Sequence, residues 1–280
     1  MTDSRNAGST PSSEREGLAL LFAELVVAAG VIASETLARP EIATRLKSDS
    51  SPVSEADERI EAFLVEALAG ALPGVPVIAE EAAARGEAAT HGDAFLLIDP
   101  IDGTREFIAR SAEFSVNLAL VVDGVPTVGA IFAPMLGRVW RAGARGCMAQ
   151  ATPGGSLPPA QDWSALHARR RPAEGLTALV SKSHLQQETL DFLTRMPVAA
   201  RVPMGSSIKF CRIAEGAADV YPRFGRTMEW DTAAGDAILR AAGGAVLDLA
   251  GAPLRYGKAA EHYRNGPFVA WGDIEASTLS

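Results

Sequence analysis

Acidic residues stand directly after two apolar runs in the first half of the sequence. Glu80 follows the run 75–79, and Asp99 follows the run 94–98. Each run is typical of a buried strand, so the carboxylates should be released at one edge of a sheet, where they face one another. Acids crowded in this way repel unless cations lie between them, and oxygen ligands favour hard metals. The pattern therefore predicts a Mg²⁺ site.

The residues that follow Asp99 carry groups suited to an oxyanion. After Asp102, Gly103 allows a close backbone approach, and Thr104 adds a hydroxyl to a run of consecutive N–H groups. Beside a metal site, these groups indicate metal-assisted chemistry on a phosphate. Water should be the nucleophile, because the sequence has neither a Gly-x-Ser-x-Gly elbow nor a Cys–His signature.

Two metal ions held roughly 3.5–4 Å apart suit the hydrolysis of a phosphomonoester. In this arrangement Asp99 would bridge the two ions. Glu80 and the Ile101 carbonyl would complete the ligands of one ion, and Asp102 and Asp231 those of the other. Asp231 also precedes a predicted helix, where an aspartate is a common N-cap.

The attacking water needs a base within hydrogen-bond reach. Asp49, which Pro52 holds in a rigid segment, and the Thr104 hydroxyl are the candidates, beside the metal ligand Glu80. Periodicity alone does not place them together. A separate pattern, residues 54–57, fits a capping box at the start of a helix.

Composition limits the class of partner. The chain has 280 residues and a formal charge of −8, from 34 acids against 26 Lys and Arg, which argues against a nucleic-acid polymer. Cys147 and Cys211 have no metal-ligand spacing, so we expect reduced thiols in a cytosolic protein. The apolar stretch 18–33 is interrupted by Glu24 and falls short of the ~20 residues of a membrane span, which favours a core helix and no transmembrane segment.

The order of predicted elements suggests two domains. A disordered tail at 1–13 precedes an N-terminal α+β metal-binding domain at 14–150, which contains an antiparallel meander. The Pro- and Gly-rich segment 151–174 is a candidate linker. Residues 175–280 alternate strands and helices and should form a C-terminal α/β substrate domain.

The motifs together resemble a known family. Residues 47–57, 80–81, 99–104 and 230–235 are similar to the metal motifs of the inositol-monophosphatase superfamily of lithium-sensitive, Mg²⁺-dependent phosphatases. Further motifs resemble its 3′(2′),5′-bisphosphate nucleotidases of CysQ type. These motifs lie at 105–108, 181–184, 205–211, 214–219 and 221–225.

The resemblance implies an α/β (α+β) fold, a layered αβαβα sandwich with an antiparallel meander half and a mixed α/β half. It implies two or three Mg²⁺ ions on Glu80, Asp99, Ile101, Asp102 and Asp231. Water would be activated by Asp49 and Thr104. The substrate-binding residues would be Ile101, Asp102, Gly103, Thr104, Ser181, His184, Gly205, Ser206, Lys209, Arg223 and Asp231.

The implied reaction is hydrolysis of adenosine 3′,5′-bisphosphate (PAP) to AMP and phosphate in sulfur metabolism, with the 5′-phosphosulfate analogue (PAPS) as a second candidate substrate. An inositol monophosphatase or a fructose-1,6-bisphosphatase is the alternative, and a non-catalytic nucleotide sensor is a different class. The implied protein is cytoplasmic, with a homodimer and peripheral association with the inner membrane face as open possibilities.

The residue patterns alone, without the resemblance, do not decide whether Lys209, His184 and Arg223 bind the nucleotide. Lys209 follows the predicted helix start at 205–207, where an ammonium and N–H groups could hold an anion, or it could be a surface lysine. His184 could be a helix cap or a surface residue. Arg223 could equally pair with Glu229.

Overall fold

Seven α-helices, four short 3₁₀ helices and sixteen strands form in the part of the chain that the computed structural model describes, residues 11–47 and 51–279. The helices are α1 (Ser12–Leu37), α2 (Glu55–Ala71), α3 (Glu80–Ala84), α4 (Thr104–Ile108), α5 (Gln187–Thr194), α6 (Ile208–Ala214) and α7 (Ala233–Ala241). The first eight strands are β1 (Thr44–Leu46), β2 (Pro52–Ser54), β3 (Val77–Ala79), β4 (Ala94–Asp102), β5 (Ser115–Val122), β6 (Val125–Ala133), β7 (Arg138–Ala142) and β8 (Gly146–Gln150). The last eight are β9 (Ser164–Ala165), β10 (Leu176–Ser181), β11 (Val198–Met204), β12 (Val220–Arg223), β13 (Thr227–Met228), β14 (Ala245–Asp248), β15 (Arg264–Asn265) and β16 (Phe268–Trp271).

The first half builds a seven-stranded sheet in the order β3-β4-β5-β6-β7-β8-β9. Its pairs are antiparallel except β3 with β4, so the predicted meander is confirmed. Successive residues of β4 to β6 point to opposite faces, and both faces are apolar. One face packs on α1 and α2 through residues such as Leu96 and Val128, and the other packs on α7 through residues such as Phe95 and Ile131.

The second half builds a five-stranded mixed sheet in the order β11-β10-β12-β16-β14. One face packs on α6 and α7, and the other packs on α5. The order of layers through the molecule is therefore helices, sheet, helices, sheet, helix. This is the predicted αβαβα sandwich, and the fold-class prediction is confirmed.

The apolar helix α1 belongs to the core. By length and composition it could cross a membrane, but its inward face, including Phe22, Val26 and Ala33, is buried in the described structure. It packs against β6, as the prediction of a core helix requires. Gly30 sits where a Cβ would lie 2.4 Å from the Phe132 ring, so only glycine allows this approach.

Two parts of the fold differ from the local pattern. The predicted linker contains β9, which pairs with β8 at the edge of the first sheet. Arg169 in the same segment forms an ion pair with Asp219 at 2.7 Å. The strand β16, which no sequence pattern indicated, lies between β12 and β14. Of the predicted disordered tail at 1–13, residues 1–10 lie outside the described residues, and Ser12 and Ser13 belong to α1. The division into domains stays a prediction.

Candidate active site

A bulge at the end of β4 turns two aspartates to the same side. Asp99 pairs with Asn117 and Asp102 pairs with Ser115, so three steps along β4 match two steps along β5. In a regular strand, residues three apart point to opposite faces. The extra residue reverses this alternation, as bulges do beside functional sites. Both aspartates consequently line one cleft of about 420 Å³.

Glu80 reaches the same cleft from the neighbouring strand. It begins α3 directly after β3, whose last residue pairs with Ile98 next to Asp99. Glu61 fixes this helix start, because its buried carboxylate accepts hydrogen bonds from the N–H groups of Glu81 at 2.7 Å and Ala82 at 2.9 Å. The acid is therefore held where the prediction placed it.

Asp231 comes from the second half and completes the group of acids. Its Oδ2 accepts a hydrogen bond from the Met228 N–H at 2.8 Å. The expected capping of α7 is wrong, because Thr232 is the N-cap residue and Asp231 turns back toward the preceding strand. This leaves Asp231 free of the helix and facing the cleft.

The four carboxylates interact strongly. Burial raises the pKa of Asp99 well above its usual value, and repulsion by Glu80, Asp102 and Asp231 raises it further. Burial, Asp102 and Glu80 raise the pKa of Asp231 to about 8. Asp99 Oδ1 is buried and has no hydrogen-bond partner among the residues that the structure describes. A bound cation would give the buried Asp99 oxygen a partner and would reduce the repulsion among the carboxylates, so these residues fit a hard metal ion.

The carboxylates are not arranged as a finished ligand set. Among residues 11–47 and 51–279, no three His, Cys, Asp or Glu side chains meet at metal-binding geometry. Instead, Lys47 Nζ lies 2.6 Å from Glu80 Oε1 and 2.6 Å from Glu81 Oε1. Burial alone would lower the pKa of Lys47, but attraction by the two glutamates outweighs it and raises that pKa. This internal counter-ion was missed by the sequence reasoning.

Thr104 contacts a carboxylate that the sequence reasoning treated only as a cap. Its Oγ1 is 3.2 Å from Asp57 Oδ1 and 3.2 Å from the Ile101 carbonyl. Asp57 also forms the predicted capping box, accepting from the Ser54 N–H at 2.8 Å. Its burial raises its pKa to about 6. The capping pattern was the available signal for Asp57, but it pointed to stability and not to the cleft. The other candidate base, Asp49, lies outside the described residues.

The residues predicted to bind the nucleotide line the same cleft. Gly103 has φ 94°, and a Cβ there would lie 3.2 Å from the Glu113 carbonyl, so the close approach requires glycine. The structure brings every predicted site residue within 51–279 to this one cleft. These are Glu80, Asp99, Ile101, Asp102, Gly103, Thr104, Ser181, His184, Gly205, Ser206, Lys209, Arg223 and Asp231.

Arg223 is a buried cation without an acidic partner. It is 8% exposed, and its terminal nitrogens donate to the carbonyls of His184 at 3.2 Å and Arg226 at 3.1 Å. Its Nε is buried with no partner, and no carboxylate among the described residues pairs with it. Pairing with Glu229 is excluded, because that carboxylate accepts from Gly257 N–H at 2.7 Å and from Lys258.

Lys209 is buried and lines the same cleft, so the surface-lysine alternative is wrong. Its Nζ donates to the Ser206 carbonyl at 2.5 Å and lies 4.8 Å from the centre of the Tyr221 ring. Burial lowers its pKa to about 8. The N–H groups expected to bind an anion here already have partners, because Ser207 N–H donates to Asp102 and Gly205 N–H donates to Glu113.

His184 stands beside these cations. The residue is exposed at the rim of the cleft, as the surface-residue alternative expected. Partial burial of the ring lowers the pKa of the imidazole, and the nearby charges of Arg223 and Arg105 lower it further. The imidazole is therefore disposed to be neutral at physiological pH. The cleft is thus lined by an acidic group, here called the acidic wall, and a basic group, here called the basic wall, which together suit a ligand with more than one anionic group. The acidic wall is Glu80, Asp99, Asp102 and Asp231, and the basic wall is Lys209 and Arg223.

Comparison with known proteins identifies the family. The inositol monophosphatase family model matches residues 15–277, and the chain belongs to this family. Among curated relatives, the 3′(2′),5′-bisphosphate nucleotidase CysQ of Escherichia coli (strain K12) is 37% identical over 210 residues, which cover 75% of this chain and 81% of the relative. CysQ of Aggregatibacter actinomycetemcomitans is 35% identical over 231 residues, 81% of this chain and 83% of the relative.

Solved structures show the same architecture. CysQ from Bacteroides thetaiotaomicron superposes with a TM-score of 0.75 at 33% identity, covering 91% of this chain and 97% of that one. An IMPase from Thermotoga maritima superposes with a TM-score of 0.71 at 22% identity, covering 92% of each chain, which supports the fold alone.

Proposed function

We propose that the chain is a Mg²⁺-dependent 3′(2′),5′-bisphosphate nucleotidase that hydrolyses the 3′-phosphate of PAP to give AMP and phosphate, and that PAPS is a further substrate. The observation that carries this proposal is the cleft itself. Four mutually repelling carboxylates share it with two buried cations, Arg223 and Lys209, that have no ion pair in the described structure. The similarity of the chain to CysQ nucleotidases supports the same substrate class.

The acidic wall would hold Mg²⁺. Glu80, Asp99 and the Ile101 carbonyl would form one site, and Asp99, Asp102 and Asp231 a second; a count of two or three ions stays a prediction. When bound, such ions supply charge neutralisation and Lewis-acid stabilisation of a phosphoryl group. Glu80 would have to exchange Lys47 for the ion, because its Oε1 lies against the ammonium.

Thr104 and Asp57 would handle the proton of the attacking water. The Thr104 hydroxyl donates to Asp57, so the oxygen of that hydroxyl can accept a hydrogen bond from a water in the cleft. With a pKa raised to about 6, Asp57 is ionised near neutral pH and still basic enough to receive a proton through Thr104. Roles for Asp49 and Glu80 in activating the water stay predictions.

The basic wall would bind the second phosphate of the nucleotide. Arg223 Nε has an unused donor, and the guanidinium carries a full positive charge beside the cleft. Lys209 adds a second charge beneath Ser206. A substrate with one phosphate, such as inositol 1-phosphate, would leave these cations without a partner, and that would cost binding free energy.

A substrate panel tests the proposal. Phosphate release from PAP, PAPS, inositol 1-phosphate and fructose 1,6-bisphosphate is measured with saturating Mg²⁺, then with EDTA. We expect kcat/KM for PAP to exceed that for inositol 1-phosphate by about 100-fold, from one or two charge-assisted contacts. Equal turnover of both would favour an inositol monophosphatase, preference for the sugar bisphosphate would favour a fructose-1,6-bisphosphatase, and nucleotide binding without turnover would favour a sensor. The cytoplasmic location and the homodimer stay predictions.

A further inference from the structure

Asp102 is held from behind by buried polar groups. The N–H and the hydroxyl of Ser207 both lie against Asp102 Oδ2, and Asn117 Nδ2 is 3.4 Å from the same oxygen. Within the described structure, every hydrogen bond to this carboxylate goes to Oδ2 and none to Oδ1. One oxygen is therefore fixed by the protein, and the other is left for a cation.

These hydrogen bonds have a defined direction. Ser115 Oγ donates to Asn117 Oδ1 at 3.0 Å, so the amide NH₂ must face the other way. That NH₂ donates to Ser207 Oγ at 2.9 Å. Since Ser207 Oγ accepts there, its single proton turns to Asp102 Oδ2 or to the Asp231 carbonyl, which is 2.7 Å away.

The series is shielded from water. Ser115, Asn117 and Ser207 are each 0–1% exposed. Inside a protein such a network is strong when fully paired, and replacing one member leaves the others without partners. Ser207 also touches both segments that carry acids of the second metal site, one at the end of β4 and the other before α7.

We propose that Ser115, Asn117 and Ser207 form a relay, here the Ser207 relay, that positions Asp102 and Asp231 for the metal ion they share. Its members are positioning residues and do not touch the substrate phosphate themselves. The relay rests on the proposed function, because it needs Mg²⁺ to bind these two acids. Outer contacts of this kind typically change metal affinity by 10- to 100-fold when removed.

Calorimetric titration of MgCl₂ into the metal-free full-length protein tests the relay. Ser207→Ala and Asn117→Ala should each weaken Mg²⁺ binding by about 10- to 100-fold. The double variant should be no weaker than the more affected single variant, because either change breaks the same series. At saturating Mg²⁺, KM for PAP should stay within about 3-fold of the wild-type value, since the basic wall is untouched.

Thr36→Val is the matched control. It also removes a buried hydroxyl, one that donates to the Ile32 carbonyl inside α1, and Mg²⁺ affinity should be unchanged. Unchanged Mg²⁺ affinity in Ser207→Ala, or losses of affinity that multiply in the double variant, would overturn the relay. Neither result would contradict the proposed nucleotidase activity, which is tested on the wild-type protein. If the wild type bound no Mg²⁺ and released no phosphate, the proposed function would fail and the relay with it. Should Ser207→Ala not fold, Asn117→Ala decides alone.

Discussion

Replacing Arg223 by methionine tests whether this residue binds the 5′-phosphate of PAP without taking part in hydrolysis of the 3′-phosphate. Methionine keeps a long apolar stem and removes the guanidinium, which is 8% exposed and has no carboxylate partner among the described residues. A hydrogen bond to a charged group contributes about 1.5–3 kcal/mol. One contact from the unused Nε therefore corresponds to about a 10- to 150-fold loss in kcat/KM for PAP, at 1.36 kcal/mol for each factor of ten.

The assay compares PAP with 3′-AMP, which lacks the 5′-phosphate. Arg223→Met should lower kcat/KM for PAP, mainly through KM, and leave the value for 3′-AMP within about 3-fold, because 3′-AMP makes no contact with the guanidinium. Without ligand, the melting temperature should not fall, since an unpaired buried cation contributes little stability. Arg212→Met is the control, because that arginine pairs with Glu215 and does not line the cleft. Equal losses for both substrates would refute a phosphate contact at Arg223.

Four further predictions concern the proposed metal site and Thr104 beside it. Asp99→Asn should lower activity by more than about 100-fold and raise the metal-free melting temperature at pH 8, because it removes a repelled carboxylate. The pKa of Asp231 is raised to about 8 from the usual 3.8. The stability that protonated Asp231 contributes to the metal-free protein is therefore complete below pH 4 and is lost as pH rises through 8. The melting temperature should be lower at pH 8.5 than at pH 6, and Asp231→Asn should reduce this difference. Thr104→Val should lower kcat by about 10²- to 10⁴-fold with unchanged Mg²⁺ affinity by calorimetry. Millimolar LiCl should inhibit phosphate release, and insensitivity would count against a lithium-sensitive site.

Local patterns predicted the parts of this site that depend on local structure. Glu80 and Asp99 stand at strand ends, and the apolar runs before them are enough to predict that position. The capping box of α2 is likewise a short-range pattern, and the structure confirms it. The layered fold followed from the alternation of elements together with the family motifs, and it is confirmed as well.

Contacts between distant segments could not be predicted from local sequence patterns. Lys47 meets Glu80 across 33 positions of sequence, and Thr104 meets Asp57 across 47. No periodicity reports such pairings, because they depend on how separate elements pack. Lys209 shows the same limit. A lysine on a short helix is expected to be exposed, and only the packing of the helix against the sheet and Tyr221 buries it. The resemblance to a family, and not the residue pattern, assigned Lys209 to the cleft.

The extra residue near the end of β4 makes the number of residues there matter more than their identity. Asp99 and Asp102 share a face because three backbone steps oppose two on β5. Inserting one residue between Ser115 and Asn117 on β5 would restore ordinary pairing, three steps against three, and would turn one of the two acids into the apolar layer on the far side of the sheet, with every side chain of β4 intact. A library of insertions and deletions should therefore find this point far less tolerant than the neighbouring hairpin turn at Asp123.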